Sequence, residues 1–166
     1  MSGLYSLATG LVVKQKGAFT ARVTPNTKQG MLTIRRRGGA DEQVSFDQAK
    51  GAWSTTLDDG EYVAWYTVAD PAALKDVVQM TAPTGSAFVY LGPKSNGLPY
   101  AWGAVTVDVQ RGDPKNPWPP PGAPETPLDP TVKAWFQVEL GAIDAALPKS
   151  AIIKHPHAPP SHPTAG

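Results

Sequence analysis

The sequence predicts an all-β domain followed by an extended arm and one short helix. Runs of alternating apolar and polar residues recur through residues 1–111 at a spacing of about ten residues, which is typical of a β-sandwich or barrel. Beyond Gly112 the composition changes, since 13 of the 18 prolines follow it. Proline removes a backbone donor and fixes φ, so a strand ladder cannot continue there. We therefore place the domain boundary at Gly112.

The strand assignments depend on apolar residues at every second position, the pattern of a sheet with one buried and one solvated face. This alternation is present in AFTARVTP, MLTIRRRGG and QVSFD, and also in SAFVYLG and YAWGAVTVDVQ. WSTTLDDGEYVAWYTVAD predicts two strands joined by an Asp-Asp-Gly turn. In the second of these strands Tyr62, Ala64 and Tyr66 should point into the core, which turns Trp65 outward.

The segment LDDGEYVAW resembles the corner of immunoglobulin-like domains, where a turn with Asp and Gly precedes a tyrosine that begins the next strand. The resemblance aligns Gly60 with the turn and Tyr62 with the corner tyrosine. ARVTPNTKQGMLTIRRRGG is similar to a strand-turn-strand unit of bacterial Ig-like repeats, so the match covers residues 15–110. The cysteine pair of antibody domains is absent, and Ala64 stands where they have the second cysteine. The resemblance implies an Ig-like antiparallel β-sandwich, which indicates fold and not function.

The chain beyond the sandwich predicts three segments: an extended Pro-rich linker over 112–130, a helix over 131–147 and a Pro-rich tail over 148–166. Asp129 is expected to cap the helix, and Pro130 suits its first position, where a missing N–H costs nothing. An apolar stripe recurs at helical spacing, formed by Val132, Phe136, Leu140, Ile143 and Leu147 and widened by Trp135 and Val138.

This stripe must be covered, because exposing large apolar side chains forgoes about 1.5–3 kcal/mol each and so short a helix is marginal alone in water. Either the helix folds back on its own sandwich or it docks on a neighbouring subunit, and the linker is long enough for both. We expect docking on a neighbour. The predicted partner-binding residues are Trp118, Val132, Trp135, Phe136, Leu140, Ile143 and Leu147.

Tryptophans in the sandwich support a second interpretation. Trp65 is expected to point outward, and Trp102 falls opposite the face shared by the valines of GAVTVDVQ. Outward tryptophans stack on sugar rings in carbohydrate-binding modules, anchor protein interfaces, or are covered by the chain's own arm. All three remain open, and Trp65 and Trp102 are the predicted surface or glycan contacts.

Nothing in the sequence indicates catalysis, a cofactor or a metal. The chain has no cysteine, which excludes disulfides and thiolate ligands. It has no Gly-x-Ser-x-Gly elbow and no phosphate loop. The three histidines, His155, His157 and His162, lie in the Pro-rich tail, where no frame would hold ligand geometry. We therefore predict no catalytic, cofactor-binding or metal-binding residue.

A net charge of +1 argues against duplex nucleic acid or an anionic membrane as the partner. Arg35, Arg36 and Arg37 form the only dense basic cluster, but alternate residues of a strand point to opposite sides. We interpret them as a solvated strand end; a grip on phosphates or on an acidic partner is the alternative.

Together these patterns predict a non-enzymatic structural or assembly protein that docks, through its C-terminal arm, on other subunits of a large assembly, its own copies included. Tailed-phage virions use Ig-like domains as capsid decoration, cement, or tail and fibre-attachment modules, and the resemblance implies such a role. The N-terminus lacks the basic region of a signal peptide, so we expect a virion protein made in the host cytoplasm. The alternative is a carbohydrate-binding or adhesion module on a bacterial cell surface.

Overall fold

The computed structural model describes residues 5–24, 30–69, 77–91, 97–111, 126–144 and 151–156. Within these ranges the chain forms twelve strands and one helix. They are β1 (Tyr5–Val13), β2 (Gly17–Thr24), β3 (Met31–Arg36), β4 (Asp41–Val44), β5 (Phe46–Asp47), β6 (Ala52–Leu57), β7 (Gly60–Val68), β8 (Val77–Thr81), β9 (Ala87–Leu91), β10 (Pro99–Trp102), β11 (Thr106–Arg111), α1 (Pro130–Asp144) and β12 (Ala151–Pro156).

The strands form two six-stranded antiparallel sheets, which confirms the all-β prediction. Sheet A has the order β10-β9-β1-β7-β3-β4 and sheet B the order β12-β11-β8-β2-β6-β5. The centre of sheet A is the long β1–β7 pair, in register from Tyr5↔Val68 to Val13↔Gly60. An Ig sandwich has roughly seven to nine strands, and the Ig-like topology is not confirmed.

The two sheets bury one apolar core between them. The residues predicted to point inward do so: Tyr62, Ala64 and Tyr66 are all buried in this core, and Trp65 lies on the opposite face of β7. At the start of β7 the Tyr62 hydroxyl donates to the Asp58 carbonyl over 2.8 Å. This contact closes the turn between β6 and β7 locally.

Helix α1 begins where the sequence places it. The Asp129 carboxylate accepts from the Thr131 amide at 2.8 Å and from the Thr131 hydroxyl at 2.6 Å. The Asp129 carbonyl accepts from the Lys133 amide at 2.8 Å. Asp129 is therefore the N-cap and Pro130 the first helical residue. The hydrogen bonds from Thr131 lower the pKa of the Asp129 carboxyl.

This cap predicts a pH dependence of the first turn of α1. The pKa of Asp129 is lower in the folded chain than its ordinary value of 3.8. The stability that the ionised carboxylate adds to the folded chain is therefore complete above that value and is lost as pH falls from there through the lower folded-state pKa. Hydrogen exchange of the helix amides from about pH 5 to about pH 2 should show reduced protection at the acid end. Asp129→Asn keeps a capping oxygen that does not titrate in this range, so that variant should lose the acid-induced step. An identical step in Asp129→Asn would contradict the assignment.

The interpretation of residues 148–166 as a tail without structure is wrong for Ala151–Pro156. This segment is β12, an edge strand of sheet B that pairs antiparallel with β11. Its two isoleucines suit a strand, and a proline is tolerated at the end of an edge strand. The domain boundary at Gly112 is therefore not the end of the sandwich, because the chain returns to it.

Candidate functional site

The helix packs on the outer face of sheet A and forms a second apolar cluster, separate from the core between the sheets. The helix contributes Val132, Phe136 and Leu140, and the sheet contributes Val63, Val89 and Ala101. Of the two alternatives left by the sequence, folding back on the chain's own sandwich is the one in the structure. We call Gly10, Val63, Val89 and Ala101 the α1 seat.

Gly10 makes a notch in the seat. A Cβ atom at this position would lie 2.6 Å from Cε1 of Phe136, closer than real Cβ contacts come. The ring of Phe136 therefore rests directly on the backbone of β1 and is fully buried. A glycine inside a strand often marks such a close approach. The notch fixes where α1 sits along the sheet.

Arg35 ties the helix to the edge of sheet A. Its guanidinium donates to the Glu139 carboxylate of α1 and, over 3.0 Å, to the Asp41 carboxylate of β4. The guanidinium carbon lies 5.7 Å from the centre of the Trp65 ring, within the range of a cation–π contact. Arg35 and Glu139 are both mostly buried, so this pair is less screened than a surface ion pair.

The composition of the outer face of sheet A explains the position of the helix. On the β9–β10 side the outward residues Val89 and Ala101 are apolar and buried. On the β3–β4 side the outward residues include Thr33, Gln43 and Asp41, of which the last two are exposed, beside the exposed Met31. The apolar stripe of α1 is therefore stabilised by packing on the β9–β10 side. Docking on the β3–β4 side would instead bury polar groups.

The residues predicted to bind a partner divide into three groups. Val132, Phe136 and Leu140 are buried against the seat, and Trp135 and Ile143 pack partly against the same cluster. Trp118 and Leu147 lie outside the described residues. The stripe is therefore engaged within the chain and is not free to dock elsewhere in this conformation. Val138 was expected to widen the stripe; this is wrong, because it points away from the sheet and is 66% exposed.

The predicted glycan platform does not form. Trp102 is 1% exposed in the core between the sheets, so its outward orientation is wrong. The prediction carried the alternation of β11 back through Gly103 and Ala104, but β10 and β11 belong to different sheets and the alternation does not continue between them. Trp65 faces outward from the core as expected, and Arg35 and the α1 cluster cover it.

The arginine cluster is satisfied within the chain. Arg35 holds Glu139, Arg36 donates to the Asp59 carbonyl beside Gly60, and Arg37 pairs with the Glu61 carboxylate at 3.4 Å. These contacts favour the interpretation of the cluster as a strand end over a grip on phosphates, because a bound anion would compete with the carbonyl and carboxylate oxygens already present.

A small cavity of about 130 Å³ lies between the beginning of α1 and sheet A. Its lining combines apolar side chains with three charged residues, Lys14, Glu61 and Asp129. In the described part of the chain no group of three or more His, Asp or Glu side chains is placed to hold a metal ion. None of the described helical segments has the length and hydropathy needed to span a membrane.

The side of α1 that faces away from the sheet is unusual. Its exposed positions within 131–143, where burial is described, are Thr131, Lys133, Ala134, Gln137, Val138 and Ala142, and Lys133 is the one charged residue among them. We call Ala134, Val138 and Ala142, which recur at every fourth position, the α1 outer face. Surface helices normally carry charged residues there.

In the ranges that the structure describes, fold and site together define a mostly β protein of two packed sheets with a single helix seated on the outside of one of them. No family model, no curated protein and no solved structure matches the chain.

Proposed function

We propose that this protein is a non-enzymatic assembly module that binds a second copy of itself through the α1 outer face. The proposal depends on the exposure of Val138, which is 66% exposed at the centre of this helix face. Among the described exposed positions of the helix, only Lys133 is charged. Interface centres are depleted in charge and enriched in tryptophan, and Trp135 lies half-buried beside this face. A helix that is apolar on both sides is stable when both are covered.

A second copy suits this face because pairing brings no like charges together. In an antiparallel pair of α1 helices centred on Val138, Ala134 of one copy opposes Ala142 of the other. The two Lys133 side chains then lie about 15 Å apart along the axis, beyond the Debye length of about 10 Å at ordinary salt. Small residues at every fourth position also let the helices approach closely.

The expected contact is small. A helix of 15 residues is about 22 Å long, so one helix pair buries less than the roughly 1,200 Å² of a stable interface. Such a contact is effective where many copies are held together and the interactions act by avidity. A tailed-phage virion, as decoration, cement or attachment module, is the assembly that the sequence resemblance implies. An Ig-like origin of the sandwich belongs to the same proposal and is supported by the Tyr62–Asp58 corner.

The double variant Ala134→Glu with Val138→Glu tests the proposal. It places four carboxylates at the centre of the paired helices, so association should be lost while thermal unfolding stays near that of the wild type, as for most surface changes. Sedimentation velocity over a wide concentration range measures the association. Gln48→Glu with Ala49→Glu adds the same charge at exposed positions in the turn between β5 and β6 of sheet B, whereas α1 lies on sheet A, and this variant should associate like the wild type. A wild type that is monomeric at all concentrations, or a double variant that associates equally well, would refute the proposal.

A further inference from the structure

We infer that the α1 seat of one copy receives the α1 helix of a neighbouring copy, so that subunits of the assembly exchange this helix. The inference rests on the proposed function, because exchange requires that copies associate. It goes further in naming a second surface, the seat, and its occupant, the inner face of α1.

The topology makes the helix separable from both sheets. In sequence α1 lies between β11 and β12, which are direct neighbours in sheet B. The helix itself lies on sheet A and contributes to a cluster distinct from the core between the sheets. No described strand therefore needs α1 in its place in order to pair. Undocking the helix uncovers the seat and the side chains of sheet A that pack around it, Ala8, Val12, Trp65 and Leu91.

The seat recognises α1 by features that do not depend on which chain supplies the helix. The Gly10 notch receives the ring of Phe136, and Arg35, beside the seat, donates to the carboxylate of Glu139. An exchanged helix makes the same contacts as a helix docked on its own chain. The two arrangements then differ mainly in the effective concentration of the helix, which an assembly raises for neighbouring copies.

The connections on either side of α1 limit which copy can receive it. Residues 145–150 join Asp144 to Ala151 by seven Cα–Cα steps, which reach at most about 25 Å. The connection over 112–125 is more than twice as long. The receiving seat must therefore lie within about 25 Å of the start of β12 on the donating copy. A directly adjacent subunit meets this condition and a distant one does not.

Thiol cross-linking tests the exchange, since the chain has no cysteine of its own. Chains with Arg35→Cys and chains with Glu139→Cys, carrying tags of different mass, are co-expressed and treated with a short bis-maleimide. Exchange places the two thiols of different chains side by side, so the pairs that contain one chain of each kind should run as a linked heterodimer on a denaturing gel. Peptide mass spectrometry should locate the link between positions 35 and 139.

Two controls make the result decisive. Pairing Arg35→Cys with Ala49→Cys, an exposed position in the turn between β5 and β6 of sheet B, measures links formed by random encounter and should give at least about tenfold less product. The double variant with Arg35→Cys and Glu139→Cys in one chain reports helix docking in either arrangement. A double variant linked only within its own chain, together with no heterodimer in the mixture, overturns the exchange.

The wild-type mass, measured by sedimentation alongside, separates the two proposals. Association of the wild type without an interchain link overturns the exchange alone and leaves the α1 outer face as the contact. A monomeric wild type overturns both. A double variant that forms no link of either kind overturns the seat itself.

Discussion

Replacing Gly10 with valine should detach α1 from sheet A while both sheets stay folded. Any Cβ at this position would lie 2.6 Å from the Phe136 ring, and the neighbouring backbone cannot yield without disturbing the central β1–β7 pair. Overpacking of this kind costs about 1–3 kcal/mol. The burial of Val132, Phe136 and Leu140 supplies about 1.5–3 kcal/mol each before the cost of ordering the helix. Because ordering the helix offsets much of the gain from burial, the strain is a large share of the net free energy of docking, and the balance should shift toward an undocked helix.

Hydrogen exchange of the α1 amides measures this change directly. Protection should fall toward that of a free helix, while protection of β1 and β7 amides is retained, since the seat and the core between the sheets are separate clusters. The matched control is Gly141→Ala, which has open space around the new methyl group. It should raise helix protection through propensity, worth up to about 1 kcal/mol.

A double-mutant cycle removes the remaining ambiguity. Phe136→Ala makes room for a side chain at position 10, so Gly10→Ala should cost less in that background than in the wild type. Additive effects of the two substitutions would mean that the ring and the notch do not meet. Equal protection of α1 in Gly10→Val and in the wild type would contradict the seat altogether.

Replacing Trp102 with alanine should destabilise the whole sandwich. Among the described side chains with less than 2% exposure, Trp102 has the largest volume, and it lies in the core between the sheets. Truncating a buried tryptophan to alanine costs about 3–5 kcal/mol, which is a large share of the 5–15 kcal/mol that holds an ordinary domain together (about 0.05–0.15 kcal/mol per residue). Urea denaturation followed by circular dichroism gives the free energy of unfolding.

Trp135→Ala is the control, because this tryptophan is only half-buried at the edge of the α1 cluster. It should cost clearly less than Trp102→Ala and should affect α1 and not the sheets. The comparison also separates the two interpretations of Trp102. A surface tryptophan that stacks on sugars would change stability by no more than about 0.5 kcal/mol on removal, and such a result would place Trp102 outside the core.

Part of the candidate site was visible in the sequence. The stripe of Val132, Phe136 and Leu140 follows from helical spacing, and its need for a cover follows from the free energy of burial. The seat had a signal as well. SAFVYLG contains the continuous apolar run of β9, and such a run indicates a strand buried on both faces. Gly10 within the apolar run of β1 is the other signal, since glycine in a strand often marks a close backbone approach.

The wrong orientation predicted for Trp102 has a specific cause. The inward and outward assignment of Trp65 is correct because β7 is a single unbroken strand. That of Trp102 fails because the alternation was carried across the link at Gly103 and Ala104, where the chain passes from one sheet to the other. Periodicity predicts which side chains point inward within one continuous strand or helix. It does not predict this across an irregular link between two elements.

The amino-acid sequence by itself determined the all-β class, the inward and outward faces of β7, and the beginning of α1 at Asp129 and Pro130. These depend on periods of two and 3.6 residues and on hydrogen bonds between residues close in the chain. Tertiary structure alone decided that α1 rests on its own sheet A, that Trp102 lies between the sheets, and that Ala151–Pro156 pairs with β11. Those outcomes depend on which distant surfaces fit, and shape at the Gly10 notch cannot be read from spacing along the chain.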